Sequence, residues 1–225
     1  MLKTKDLFKP DIRNQPFNLS EEDLMDYVSR IEISKKVPRK INEMLDFTRR
    51  MILYGYYNFD FYTQTAIYLF LITESAIKER IYEEFPEKCP MIKDGKTEIV
   101  TKNYRVIFQR LREDWQLIGF EKLGHSLDSI VRVLKTEQVL PKRIGDTEIE
   151  ILRQLRNSAI DLTRTEPYSP AVVIPIYWQI VDFINCLYDK NFHESEPKAL
   201  KQLREHYRML SQAVEKIKKT KKSEN

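Results

Sequence analysis

Arg153, Arg156, Asn157 and Asp161 sit within nine residues of one another and are the residue types best able to do chemistry in this chain. Thr147 and Glu150 have capping-box spacing, and Ile149, Leu152, Leu155, Ala159 and Leu162 follow as an apolar stripe, so the segment reads as an amphipathic helix. The four polar residues fall on its other side, with Arg153, Asn157 and Asp161 aligned at spacings of four. Guanidinium forks held beside a carboxylate recognise anions. The anion is either a carboxylate of the chain itself, Asp161 or Glu74, or a phosphate brought from outside. Glu74 enters because it directly follows the all-round apolar run at residues 66–72, where a carboxylate must be paired or line a cavity.

Other chemistries are excluded by absence of pattern. No CxxC pair, HExxH, P-loop, GxGxxG or GxSxG occurs, so no metal and no cofactor is expected. His125, His193 and His206 have no ligand spacing among themselves. Cys89 and Cys186 are too few for a disulfide framework, and no secretory signal opens the sequence, which points to a reducing, cytoplasmic setting. Net charge is +4, too mild to demonstrate nucleic-acid binding, although Lys216, Lys218, Lys219, Lys221 and Lys222 concentrate positive charge at one end.

The elements that must position these residues read as helices. Five glycines against 12 Tyr and 11 Phe supply an aromatic core but few turns, and the expected fold class is all-α, an up-and-down bundle with extra N-terminal and C-terminal helices. Ser20 before Glu21, Glu22 and Asp23 is an N-cap with an acidic first turn, opening a helix to about residue 33. Pro38 starts the next, striped by Ile41, Met44, Leu45, Thr48, Met51 and Ile52. Asp60 is expected to cap a third helix to about residue 85. Pro86, Pro90 and the Asp94-Gly95 turn leave room for one small hairpin near 91–100, after which helical spacing resumes through Tyr104, Ile107, Leu111 and Trp115 and again from Leu123 to Leu134. Residues 171–187 approach a membrane span in apolarity, but Gln179, Asp182 and Asn185 draw a polar stripe along them, as in a packed core helix, so no membrane partner is expected. The expected division is an N-terminal arm and helix at 1–37, a helical bundle at 38–190, and a polar helix with a basic tail at 191–225. That last helix carries the stripe Leu200, Leu203, Tyr207, Leu210, Val214, Ile217.

The run Leu155-Arg156-Asn157-Ser158-Ala159-Ile160-Asp161 resembles the Arg-Asn-x-x-x-His signature of the HEPN superfamily (Higher Eukaryotes and Prokaryotes Nucleotide-binding). Phe70, Glu74 and Ala76 match a buried Leu-x-x-x-Glu-x-Ala segment of that family, with Phe in place of Leu, and Phe120, Lys122, Leu123 and Gly124 match the stretch before its middle helix. The resemblance covers about residues 38 to 190. It implies a helical homodimer that binds RNA or nucleotide, in a defence, toxin–antitoxin or RNA-processing setting with a cognate antitoxin or defence partner. It also implies metal-independent attack of a ribose 2′-hydroxyl on the neighbouring phosphate. Arg156 would hold that phosphate, Arg153 would add a second contact, Asn157 would orient the helix end, and Glu74 would support them.

Asp161 stands where the family has His, and a carboxylate with a reference pKa of about 3.9 neither donates a proton at pH 7 nor welcomes a phosphate. The resemblance therefore implies a catalytically degenerate RNA-binding protein. An active endoribonuclease using Asp161 or His125 as base, and a helical dimerisation or adaptor module without nucleic acid, are the alternatives.

Overall fold

A computed structural model describes residues 9–136, 168–189 and 191–192. Its first regular element is a short 3₁₀ helix, Ile12–Phe17, followed by α1, Glu21–Ser29. Ser20 and Asp23 close a reciprocal capping box: the Asp23 amide donates to Ser20 Oγ at 3.1 Å and the Ser20 amide to Asp23 Oδ2 at 2.9 Å. The helix ends four residues short of the expected 33. Residues beyond it are claimed by a distant side chain: Asn185 accepts from the Ser34 amide (2.8 Å) and donates to the Glu32 carbonyl (2.9 Å).

Helix α2 (Arg39–Tyr54) follows Pro38 and buries Ile41, Leu45, Thr48, Met51 and Ile52, the stripe its sequence spells. Helix α3 (Asp60–Glu83) is buried on most of its circumference, as the all-round apolar run requires. Asp60 does not cap it. It is the first helical residue; its amide donates to Asn58 Oδ1, and its carboxylate binds Arg13 at 2.7 Å. Between α2 and α3 the chain reverses at Gly55, where a Cβ would lie 2.4 Å from the Tyr62 ring. Only glycine permits that approach.

The sheet overturns the all-α expectation. Strands β1 (Lys88–Lys93) and β2 (Lys96–Thr101) form an antiparallel hairpin, and β3 (Gln116–Leu117) pairs antiparallel with the other edge of β1, giving the order β2-β1-β3 in a mixed α/β fold. Asp94 and Gly95 both have positive φ (51° and 75°), the turn type that matches strand twist in a two-residue hairpin. Period-two alternation sends Cys89, Met91, Val100 and Leu117 into the core. Helix α4 (Tyr104–Arg112), N-capped by Asn103, connects β2 to β3. It stops at Arg112 because Asp114 takes φ 65° and turns the chain, so Trp115 belongs to the connection and not to the helical stripe.

Helix α5 (Leu127–Thr136) packs on α3, as does the last described helix, α6 (Pro170–Tyr188). Pro170 sits in the first turn and Pro175 lies inside the helix. Tyr177 donates to the Leu45 carbonyl of α2, and Tyr188 to the Ala76 carbonyl of α3 at 3.1 Å. Although α6 is long and apolar enough to cross a membrane by length and composition, about two thirds of its most apolar stretch is buried within the fold. It is a core helix. Of its expected polar stripe, Asn185 is fully buried and bonds through both its carbonyl and its amide, whereas Gln179 and Asp182 are partly exposed.

Candidate nucleic-acid interface

The hairpin and α4 concentrate charge. Residues 88–112 hold seven Lys or Arg against Asp94 and Glu98, a surplus of five where the whole chain has four. Strand pairing decides which of these cations are engaged. On the core-facing side of the sheet, Glu98 of β2 reaches Arg110 of α4 at 3.0 Å, and Arg110 also binds Glu113 (3.1 Å) and lies over the Trp115 ring. Lys93 donates to the Glu113 carbonyl. Lys102 donates to the Glu83 carbonyl and lies 5.3 Å from the centre of the Tyr82 ring. These three cations fasten the hairpin to α3 and α4.

Lys88, Lys96, Arg105 and Arg112 are different. All four are exposed, and none makes an ion pair among the described residues. Arg105, Gln109 and Arg112 follow one another at four and three residues along the solvent side of α4, opposite buried Ile107, Phe108 and Leu111. Beside Arg105 stands Tyr104, 40% exposed, its ring held by Phe108 (centroids 4.7 Å apart) and Tyr82 (5.6 Å, edge to face). Burial raises the Tyr104 hydroxyl pKa, and the charges of Glu74 and Glu79 push it the same way, so this tyrosine stays neutral. On the outer face of the sheet, Ile99 (68% exposed) pairs with Pro90, and the Ile118 amide extends the row by donating to the Pro90 carbonyl at 2.9 Å. Cations, one fixed aromatic face and small apolar steps therefore share one end of the molecule. That combination suits a flexible polyanion carrying flat bases.

The residues singled out in the sequence fare unequally. Arg153, Arg156, Asn157 and Asp161 lie outside the described residues. Glu74 is half-buried on α3 and pairs with Lys78 one turn on, so it is a neutralised carboxylate in a structural ion pair. His125 is exposed in the connection before α5. Among the described residues no group of His, Cys, Asp or Glu is placed to hold a metal ion. Cys89 and Cys186 are buried thiols outside any disulfide, and burial raises the Cys89 pKa, which keeps it protonated and inert.

A second concave region, about 680 Å³, lies between the 3₁₀ helix and the start of α1, lined by Asp11, Asn14, Gln15, Ser20 and Asp23 among others. Its carboxylates are already engaged, while the buried Asn14 Oδ1 has no hydrogen-bond partner among the described residues. Both Asp11 oxygens take two bonds each, from the Arg13 amide and guanidinium and from the Phe59 amide, while Asp23 closes the Ser20 box. The Arg13 bond above all holds the Asp11 carboxyl far below the ordinary carboxylate range. This corner is a structural clamp.

Sequence reading missed the exposed cations of 88–112 because charge was weighed over the whole chain; a local count was the available signal. No family model, curated protein or solved structure matches the chain.

Proposed function

We propose that the chain binds single-stranded RNA at the basic end formed by the hairpin and α4, in keeping with its HEPN-like motif, and that it cleaves RNA poorly. The observation that carries this reading is four exposed cations that make no ion pair among the described residues, Lys88, Lys96, Arg105 and Arg112, on the hairpin and the helix that also carries the fixed ring of Tyr104. The cations contact phosphates and Tyr104 stacks one base. Arg156, carried over from the family motif, adds a phosphate contact, and Asp161 in the place of an imidazole leaves no group to shuttle a proton at pH 7.

Labelled single-stranded RNA titrated against the protein tests this. Five phosphate contacts, from the four cations and Arg156, give a slope of about −3.5 in log affinity against log salt, or roughly a 130-fold loss from 50 to 200 mM salt. Arg156→Ala weakens binding, and RNA incubated with micromolar protein in chelator stays intact. Salt-insensitive binding, equal for wild type and variant, defeats the RNA reading. Fragments ending in 2′,3′-cyclic phosphate defeat the degenerate-site part alone.

A further inference from the structure

The outer side of the α2–α3 pair carries an apolar seam facing away from α6. Phe47 and Tyr54 lie seven residues apart on the solvent side of α2 and are 45% and 54% exposed. Each meets a ring of α3, Phe47 with Tyr68 (centroids 5.4 Å apart) and Tyr54 with Phe61 (5.8 Å), and Leu71, 45% exposed, continues the row. Two aromatic rungs and a leucine exposed in one row form a contiguous apolar patch rather than singly scattered apolar residues. We infer that this seam is the docking groove for the chain's own segment 197–219, whose stripe Leu200, Leu203, Tyr207, Leu210, Val214, Ile217 has helical spacing.

Chain exit, length and charge each favour that occupant. Asp189 binds Ser34 (3.2 Å) and Lys36 (2.9 Å), and Arg80 of α3 donates to the Leu187 carbonyl, so the chain leaves α6 at the end of the bundle where α2 begins. From there a helix running beside α2 reaches Phe47 first and Tyr54 last. The stripe from Leu200 to Ile217 spans about 26 Å as a helix, and α2 from its start at Arg39 to Tyr54 spans about 23 Å. Such a course delivers Lys216, Lys218, Lys219, Lys221 and Lys222 to the α2–α3 turn. The 3₁₀ helix and the start of α1 pack there, in a corner that is net acidic, residues 9–32 holding six acidic residues against three basic.

Hydrogen exchange on the full chain tests the assignment. Amides of 200–217 should exchange at least tenfold more slowly than in an unstructured peptide. Phe47→Asp with Tyr54→Asp should return them to peptide rates while amides of α3 and α6 stay protected, and Ile99→Asp at the far end should change nothing. If the double substitution disrupts the core, Tyr54→Cys serves instead: its reaction with a maleimide should speed up at least fivefold when Leu203→Asp and Leu210→Asp are added. An unprotected tail in the wild type overturns the assignment. So does protection indifferent to the seam, or protection lost on dilution together with a two-chain mass, which would make a second copy the occupant.

Discussion

The two charged ends of this molecule use the same kinds of group to opposite effect. At the acidic corner, Asp11, Asp23 and Asp60 are engaged with Arg13, Ser20 and the Phe59 amide, and the charge there holds the 3₁₀ helix and α1 against the α2–α3 turn. At the hairpin end, Arg110, Lys93 and Lys102 do similar fastening, yet four further cations have no such duty. The difference shows that a cluster of charge is informative only after its hydrogen-bond capacity has been accounted for, group by group. A charge already saturated by the protein has little left for a ligand.

Removing the clamp gives the largest effect. Asp11→Ala leaves the Phe59 amide and the Arg13 fork without their acceptor and should lower unfolding free energy by about 2–3 kcal/mol in urea titrations. RNA binding at the far end should be unaffected. Conversely, Arg105→Glu with Arg112→Glu should leave stability within about 0.5 kcal/mol of wild type, since exposed unpaired residues contribute little. The same pair should reduce RNA affinity at least about tenfold and flatten the salt slope by roughly 1.4. A stability loss from this pair and none from Asp11→Ala would reverse the division of labour.

Acid sharpens it further. Because the folded-state pKa of Asp11 is depressed, its contribution is complete above the ordinary value of 3.8 and disappears as pH falls below that toward the folded value. The stability gap between wild type and Asp11→Asn should therefore be full at pH 6 and shrink only below pH 3.8, as followed by thermal unfolding. Smallest of all, Tyr62→Phe removes a buried hydroxyl that has no hydrogen-bond partner among the described residues, so stability should change by less than about 0.5 kcal/mol or rise slightly.

Local patterns wrote much of the fold legibly. The Ser20 cap, the α2 stripe, the apolar run within α3 and the Asp94-Gly95 turn each depend on neighbours close in sequence. What escaped depends on distance. Strand β3 has two residues and no periodicity, and it exists because Leu117 and Gln116 meet Met91 and Ile92 of β1, some 25 residues back. Asp60 reads as a cap until Arg13, 47 residues away, claims it. The candidate interface was half legible. Its cations are plain in the sequence, but which of them go without an ion pair among the described residues shows only in the fold, where Arg110 takes Glu98 and Glu113.

The Asn185 carboxamide joins two ends of the described chain. It secures Ser34 and Glu32 across 151 and 153 residues, from a helix made much later in synthesis. Until that helix emerges, the segment joining α1 to α2 lacks the carboxamide that bonds its Ser34 amide and its Glu32 carbonyl. The N-terminal helix should then stay loosely docked on a nascent chain and lock only when residue 185 arrives, which makes completion of the core a late event of high contact order.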